Sequence, residues 1–482
     1  MNNQYTEVLN EVIKRIRPTN DELLEAINLY EELRGYIEEN LKIPYEFKVT
    51  LEGSLAKGTC IRGEIDLDIF ILIKYRELSN EWIKKHVIKP LVRVLKEKGV
   101  TAELRYASHP YIRVIKDRFQ ADIVPAYWAE TIDEIMTPVD RTPFHTKYVV
   151  SKLSSRQKDD VRLLKKFLKG VGIYGAEIKT KGFSGYLCEL LIIKYGTFLD
   201  VLKNARKWRV GSVIIVDKVP YSLSEVNKMF PNAILRVPDP VDPRRNAAAA
   251  VSRRSLSIMS TASALFLKYP DITYFFPAKP HIGLNDLINY YKGQRRSVYI
   301  VLLKIINTET SPDIIWGKLS KLVNTIERKL TSADIEVIDL SIWSDDRMYA
   351  VIAIEVLKSE LPHYELRRGP PTHMFEDVIR FYEKNFMRSG VIGPWIDRLG
   401  SIRVMIKRNC TDASKIVSNT ISNLLKSSYS KYFTLLNIID FNDLNKTPQE
   451  ILKNESFHSW IAEVILRMPS WLPRSLTKFR SM

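Results

Sequence analysis

Apolar positions along the first 40 residues recur at helical spacing. Val8, Val12, Ile13 and Ile16 share one face, and Leu23, Leu24, Ile27 and Leu33 share another after a break at Pro18–Asn20. Two helices are therefore expected over residues 6–40. The period then changes to two: Phe47, Val49 and Leu51 alternate with Lys48, Thr50 and Glu52, a strand ending at Gly53. A second strand starts at Glu64-Ile65-Asp66-Leu67-Asp68 and runs on through Ile69-Phe70-Ile71-Leu72-Ile73. A helix is expected near 82–98, followed by strands near 102–106, 111–115 and 119–124. Together these make a mixed sheet with helices on it over residues 1–145.

Beyond 145 the pattern is mainly helical. Asp159-Asp160 is expected to open an amphipathic helix, with Val161, Leu164 and Leu168 on one side, Lys165, Lys166 and Lys169 towards the other, and a stop at Gly170. A longer helix is expected over 185–208. The loop Pro238-Asp239-Pro240-Val241-Asp242-Pro243 leads to Arg244-Arg245-Asn246 and an expected alanine-rich helix. From about 275 strands are expected at 298–306, 335–343 and 348–356, the last two joined by a Ser344-Asp345-Asp346 turn. Arg367-Arg368-Gly369-Pro370-Pro371 breaks this region, and a helical, basic stretch follows. No internal repeat or low-complexity tract is visible.

Composition narrows the class. The 482 residues are 45% hydrophobic and 27% charged, a globular balance. Lys and Arg total 73 against 56 Asp and Glu, a net charge of +17, which favours a polyanionic partner. Cys60, Cys188 and Cys410 are far apart and form no CxxC pair, which argues against a disulfide scaffold and a zinc site and fits a reducing interior. The start, Met1-Asn2-Asn3-Gln4-Tyr5, has no signal pattern, and no apolar run approaches the ~20 residues of a membrane span. A soluble, cytoplasmic protein with no membrane partner is expected.

The strongest chemical signal is Gly53-Ser54-Leu55-Ala56-Lys57-Gly58-Thr59 ahead of Asp66 and Asp68. Alternation puts Asp66 and Asp68 on one face of a strand and Ile65, Leu67, Ile69 and Ile71 on the other. The residues after Asp68 are apolar on both faces, so the strand should be central and buried, and unligated carboxylates there would be costly. A divalent cation, with Mg²⁺ as the hard candidate, relieves that cost. The loop offers backbone N–H groups, the Ser54 hydroxyl and the Lys57 ammonium to a triphosphate. This pattern is that of a metal-dependent nucleotidyltransferase. Asp122, in the strand ended by Pro125, is the best-placed third carboxylate. Taken alone, His145 reads as a core-edge histidine, Lys165 as a solvated lysine and Tyr174 as packing. Gly182-Phe183-Ser184-Gly185 is not a hydrolase elbow, because Tyr186 stands where the second glycine would be.

Taken in order, the Gly53–Thr59 loop, Asp66/Asp68, His109-Pro110-Tyr111, Ala121–Pro125, Asp140–His145, Gly172–Glu177, Gly182–Leu191 and Asp239–Asn246 resemble the archaeal-type (class I) CCA-adding tRNA nucleotidyltransferases. These are a branch of the polymerase-beta-like superfamily. The resemblance implies an α+β multidomain chain: a polymerase-beta-like catalytic head with a mixed sheet (1–145), a helical neck with the nucleotide pocket (146–270), an α/β body (271–375) and a mainly helical, basic tRNA-binding tail (376–482). It implies untemplated addition of C, C and A to tRNA 3′ ends from CTP and ATP, with Mg²⁺ held by Asp66, Asp68 and Asp122. It further implies nucleotide contacts from Ser54, Lys57, His145, Lys165 and Tyr174, and a base-edge contact from Arg245. The partners implied are the acceptor and T arms of tRNA, with a homodimer allowed. Two alternatives stand beside this reading. One is a poly(A)-polymerase-like or oligoadenylate-synthase-like transferase with the same head; the other is a non-catalytic RNA-binding protein on that head.

Overall fold

The computed structural model describes residues 3–106, 109–278, 282–307 and 310–473. The chain forms two compact units: the residues up to Ala278 together with those from Pro469 onward, and Lys279–Met468.

In the first unit, α1 (Asn3–Ile16) and α2 (Asn20–Asn40) flank the break at Pro18. The Thr19 hydroxyl accepts from the Glu22 N–H and the Glu22 carboxylate accepts from the Thr19 N–H, which fixes where α2 begins. There follow β1 (Phe47–Glu52), α3 (Gly53–Lys57), β2 (Asp66–Ile73), α4 (Asn80–Ile83), α5 (Lys89–Glu97), β3 (Thr101–Tyr106), β4 (Pro110–Lys116) and β5 (Phe119–Tyr127). The strands form one sheet in the order β1-β2-β5-β4-β3. Only β2 and β5 run parallel, so the sheet is mixed. Leu67, Ile69, Ile71 and Ile73 bury one face of β2 against Leu29, Leu33 and Ile37 of α2 and Leu91 and Leu95 of α5. The opposite face carries Asp66 and Asp68, then Phe70 and Leu72 packed with Ala126.

The helix expected over 82–98 is interrupted by a π-turn, Lys84–Ile88, just ahead of Pro90. Proline has no N–H to continue the α ladder, and the chain absorbs this by widening one turn.

The helical part continues with α6 (Thr142–Lys152), which spans the expected head–neck boundary, α7 (Ser155–Gly170), α8 (Gly185–Tyr195) and α9 (Phe198–Ala205). Helix α7 begins four residues before the expected Asp159, because Ser154 and Gln157 form a capping box. The long helix expected over 185–208 is two helices: Gly196 adopts a φ of +90° and Thr197 caps α9. After the short strands β6 (Ser212–Val213) and β7 (Leu235–Arg236), with α10 (Leu223–Met229) between them, comes the expected alanine-rich helix. Residues 247–250 form turns instead, and α11 (Arg253–Lys268) starts only after the Ser252 cap. The Asn246 amide explains this: it accepts from the Val237 and Ala248 N–H groups and donates to Leu235 O, competing with helical pairing. Phe167, Phe198, Phe266 and Phe275 fill the core with ring centroids 5.6–5.8 Å apart. Trp471 returns to this unit and packs 5.8 Å from Tyr274.

In the second unit, α12 (Leu284–Lys292), β8 (Ser297–Ile305), α13 (Pro312–Ser332), β9 (Val337–Ser344) and β10 (Tyr349–Val356) precede β11 (Tyr364–Arg368), α14 (Phe375–Asn385), β12 (Val391–Ile396), β13 (Ile402–Lys407), α15 (Ala413–Lys426), β14 (Phe433–Asp440), α16 (Gln449–Leu452) and α17 (Glu455–Leu466). A four-stranded antiparallel sheet has the order β14-β8-β10-β9. Its two faces are covered by α13 with α15 and by α12 with α17. Strand β14 comes from the stretch expected as a tail, so body and tail share one sheet. A second, three-stranded sheet, β11-β13-β12, packs with α14. The three cysteines are free thiols, and no helix among the described residues is long and apolar enough to cross a membrane.

Candidate active site

Strand pairing aligns the carboxylates. Asp68 lies opposite Asp122 across the parallel pair β2/β5 and opposite Glu52 across the antiparallel pair β1/β2. The turn into α3 runs beneath them: Gly53 has φ +67°, and a Cβ there would lie 1.7 Å from Asp68 Oδ2. No other residue fits so close to the acid. Burial, and next the charges of Asp122 and Asp66, push the Asp68 carboxyl up to about 6. Asp66 is more exposed than the sequence suggested, and lost hydration and Asp122 shift its carboxyl in the same direction. Arg113 grips both Asp122 oxygens at 2.8 and 2.7 Å.

Among the described residues no three His, Cys, Asp or Glu side chains are gathered into a metal-binding group. The donor set still suits a hard divalent cation: every group is a carboxylate, and strand register brings Asp122 and Glu52 opposite Asp68.

Next to this face lies a buried cation pair. Lys57, from the end of α3, donates to Glu189 Oε2 at 2.8 Å. Lys165, from α7, donates to the Thr59 hydroxyl at 3.1 Å, and that hydroxyl donates to Glu189 Oε1 at 2.8 Å. All four side chains are buried. Burial would raise the Glu189 carboxyl, but Lys57 and Lys165 outweigh it and the carboxyl is lowered. Lys165 is shifted down by burial, against the pull of Glu189. Two lysine side chains thus share one carboxylate where the loop meets the helices. Arg162, also on α7, holds the loop by donating to Gly58 O at 2.6 Å and Cys60 O at 2.8 Å.

A second hub is Asp239, which is wholly buried. Its Oδ2 accepts from His145 Nε2 at 3.0 Å and from Arg245 Nη1 at 2.9 Å. Its Oδ1 accepts from the Tyr186 hydroxyl at 2.8 Å and the Val241 N–H at 3.0 Å. Burial would raise this carboxyl, yet the bonds, that of His145 foremost, hold it at about 2. The His145 ring stacks on Tyr186 with centroids 3.9 Å apart, and the Lys57 ammonium lies 5.7 Å from the centroid of that same ring.

Lys57, His145, Lys165 and Arg245 therefore belong to one continuous network. Tyr174 reaches it at Gly185, where an added Cβ would lie 3.0 Å from the Tyr174 oxygen and 3.7 Å from Lys165 Nζ. Ser54 sits half-buried on α3, its carbonyl accepting from the Thr59 N–H at 2.9 Å. Glu189, Asp239, Tyr186 and Thr59 carry as much of the network as the expected residues and were not singled out in the sequence. The signal for Glu189 was an acid inside the otherwise apolar Leu187-Cys188-Glu189-Leu190-Leu191; for Asp239 it was a position between two prolines.

Residues 159–276 match the family described as tRNA nucleotidyltransferase, second domain, and residues 296–431 match the CCA-adding enzyme C-terminal domain. A CCA-adding enzyme of Saccharolobus islandicus is 35% identical over 463 residues, covering 96% of this chain and 99% of its own length. This chain belongs to the CCA-adding enzymes. The CCA-adding enzyme of Sulfurisphaera tokodaii is likewise 35% identical, over 96% of this chain and 98% of its own, and that of Pyrobaculum islandicum is 37% identical over 83% and 90%. As a member of the family, this CCA-adding enzyme is a nucleotidyltransferase acting on tRNA, of a superfamily that generally uses divalent metal ions.

Proposed function

We propose that this CCA-adding enzyme joins CTP and ATP to the tRNA 3′ end on the face bearing Asp66, Asp68 and Asp122, with Mg²⁺ as the ion. The observation that carries this reading is the adjacency of the carboxylates Asp66, Asp68 and Asp122 and a buried lysine pair that shares one carboxylate. Mg²⁺ held by the three carboxylates would supply charge neutralisation and a lowered pKa for the attacking hydroxyl. Asp122 would become available as Arg113 turns away from it.

The chain's own groups do the remaining work by position and electrostatics. The 3′-hydroxyl attacks the α-phosphorus, the bond to the β-phosphate oxygen breaks, and pyrophosphate leaves. Lys57 and Lys165, fixed by Glu189, offset the charge on the departing phosphates. Ser54 and the α3 turn contact the triphosphate, as do Tyr174, beside Lys165, and His145, at the Asp239 hub. Arg245 reads the base edge, so that C or A pairs its polar groups and U or G leaves them unpaired.

Residues 1–145 serve as head, 146–270 as neck, 271–375 as body and 376–482 as tail, with the acceptor and T arms of tRNA gripped by shape and phosphate contacts in the body and tail. The charge of +17 supports this. Free thiols support a cytoplasmic site of action. Exposed Phe375, Phe386, Met387 and Leu399 support a homodimer, to be checked by sedimentation. The deciding assay offers each labelled NTP in turn, with Mg²⁺, to tRNA lacking its CCA end. Addition of C, C and then A supports the reading, and processive A addition to any RNA overturns it.

A further inference from the structure

We propose that Asp239 is a specificity-determining positioning residue, which couples the base-reading end of the nucleotide site to its triphosphate end through one buried carboxylate. The inference rests on the reading that Arg245 contacts the base and His145 the triphosphate. Three elements that share no local sequence meet at this side chain. His145 comes from α6 and Tyr186 from α8, and Arg245 follows the Pro238–Pro243 loop. His145 Nε2 and Arg245 Nη1 end on the same oxygen, Oδ2, at 3.0 and 2.9 Å. Both groups therefore take their position from one oxygen.

The carboxylate is itself fixed. Its second oxygen takes the Tyr186 hydroxyl and the Val241 N–H, and the prolines on either side restrict the backbone that carries it. Because Asp239 accepts, His145 presents Nε2–H to it, which sets the orientation of the imidazole. The Arg245 side chain is 40% exposed, and among the described residues its only ion pair is with Asp239. One guanidinium nitrogen is thus pinned while the rest of the planar fork stays available to a ligand. An arginine held this way presents its donors at a fixed angle, as discrimination between base edges requires. A solvated arginine would offer the same charge to every base.

The test compares kcat/KM for CTP, ATP and UTP in the full-length wild type, D239N, R245A and the double variant, each shown to be folded by circular dichroism. D239N keeps the size and removes the charge. The expected result is a fall of about tenfold or more in the ratio of CTP or ATP to UTP, and no further fall when D239N is added to R245A. An unchanged ratio in D239N beside a lowered ratio in R245A overturns the positioning role while sparing the base-contact reading. An unchanged ratio in R245A overturns that reading itself, and this inference with it. Y186F, which keeps the stack on His145 and the Asp239 charge but removes one bond to Oδ1, covers the case in which D239N does not fold. It should lower the ratio in the same direction by less, and an unchanged ratio there counts against the proposal.

Discussion

Asp68 and Asp239 are the same side chain, both drawn out of water within one unit, and they lie at opposite ends of the carboxylate range. Asp68 faces two other acids and its carboxyl rises to about 6. Asp239 takes four donors and falls to about 2. Burial acts in the same direction on both, so the partners decide the difference. A carboxylate supplied with every donor by the protein is a structural anchor. One denied them suits a cation from outside. The same division separates the sites: the network around Glu189 and Asp239 is complete within the protein, and the face at Asp68 is not.

The largest break in this contrast is Asp68→Ala. It should lower incorporation of labelled CTP by at least about a thousandfold, since a metal site supplies several kcal/mol to the transition state. Retention of tRNA on filters should hardly change, and appreciable turnover in Mg²⁺ would remove Asp68 from the ion site.

Glu189→Gln attacks the completed side. It leaves Lys57 and Lys165 buried without their shared counter-charge, and the loss of stability in urea should be about 3–5 kcal/mol. A loss under about 1 kcal/mol would show that water already compensates the lysines.

The two acids also predict opposite pH responses in metal-free protein. Asp68 binds its proton more tightly folded than unfolded, so its contribution to stability is lost as pH rises from about 4 through 6. Asp239 binds its proton less tightly folded, so its contribution is lost as pH falls from about 4 towards 2. Thermal melts in EDTA should show the first slope in wild type and lose it in Asp68→Asn. Saturating Mg²⁺ should also flatten it.

The smallest effect concerns cations rather than acids. Arg388 and Lys407 line an open cavity of about 740 Å³ with Arg367 and Arg408 in the second unit. Unlike Lys57, neither has an ion-pair partner among the described residues. Each changed to Ala should reduce the slope of log tRNA affinity against log salt by roughly 0.7–0.9. An unchanged slope would move the phosphate contacts elsewhere.

Much of the first unit was legible because strands and amphipathic helices advertise themselves by period. Asp66 and Asp68 could be put on one face from alternation alone. The exposure of Asp66 could not, because the apolar run after Asp68 says nothing about what covers the strand's first residue. The π-turn before Pro90, the split at Gly196 and the turns at 247–250 were missed because each depends on one residue's backbone or amide chemistry overriding a periodic signal. Glu189 and Asp239 were missed for a different reason. Their partners lie 132 and 94 residues away in Lys57 and His145, and a single sequence carries no record of that distance being closed. Strand β14 shows the same limit, since its place beside β8 is a matter of register across more than a hundred residues.

The return of Trp471 to Tyr274 has a consequence in time. The first unit is interrupted by the roughly 190 residues of Lys279–Met468, and this aromatic contact is made only by sequence on the far side of them. At about 5–20 residues per second, a ribosome takes roughly 10–40 seconds to cross that insertion. For that interval the Tyr274 ring waits without the indole that packs on it. Catalytic elements and second unit would both be synthesised before the first unit gains its last aromatic neighbour.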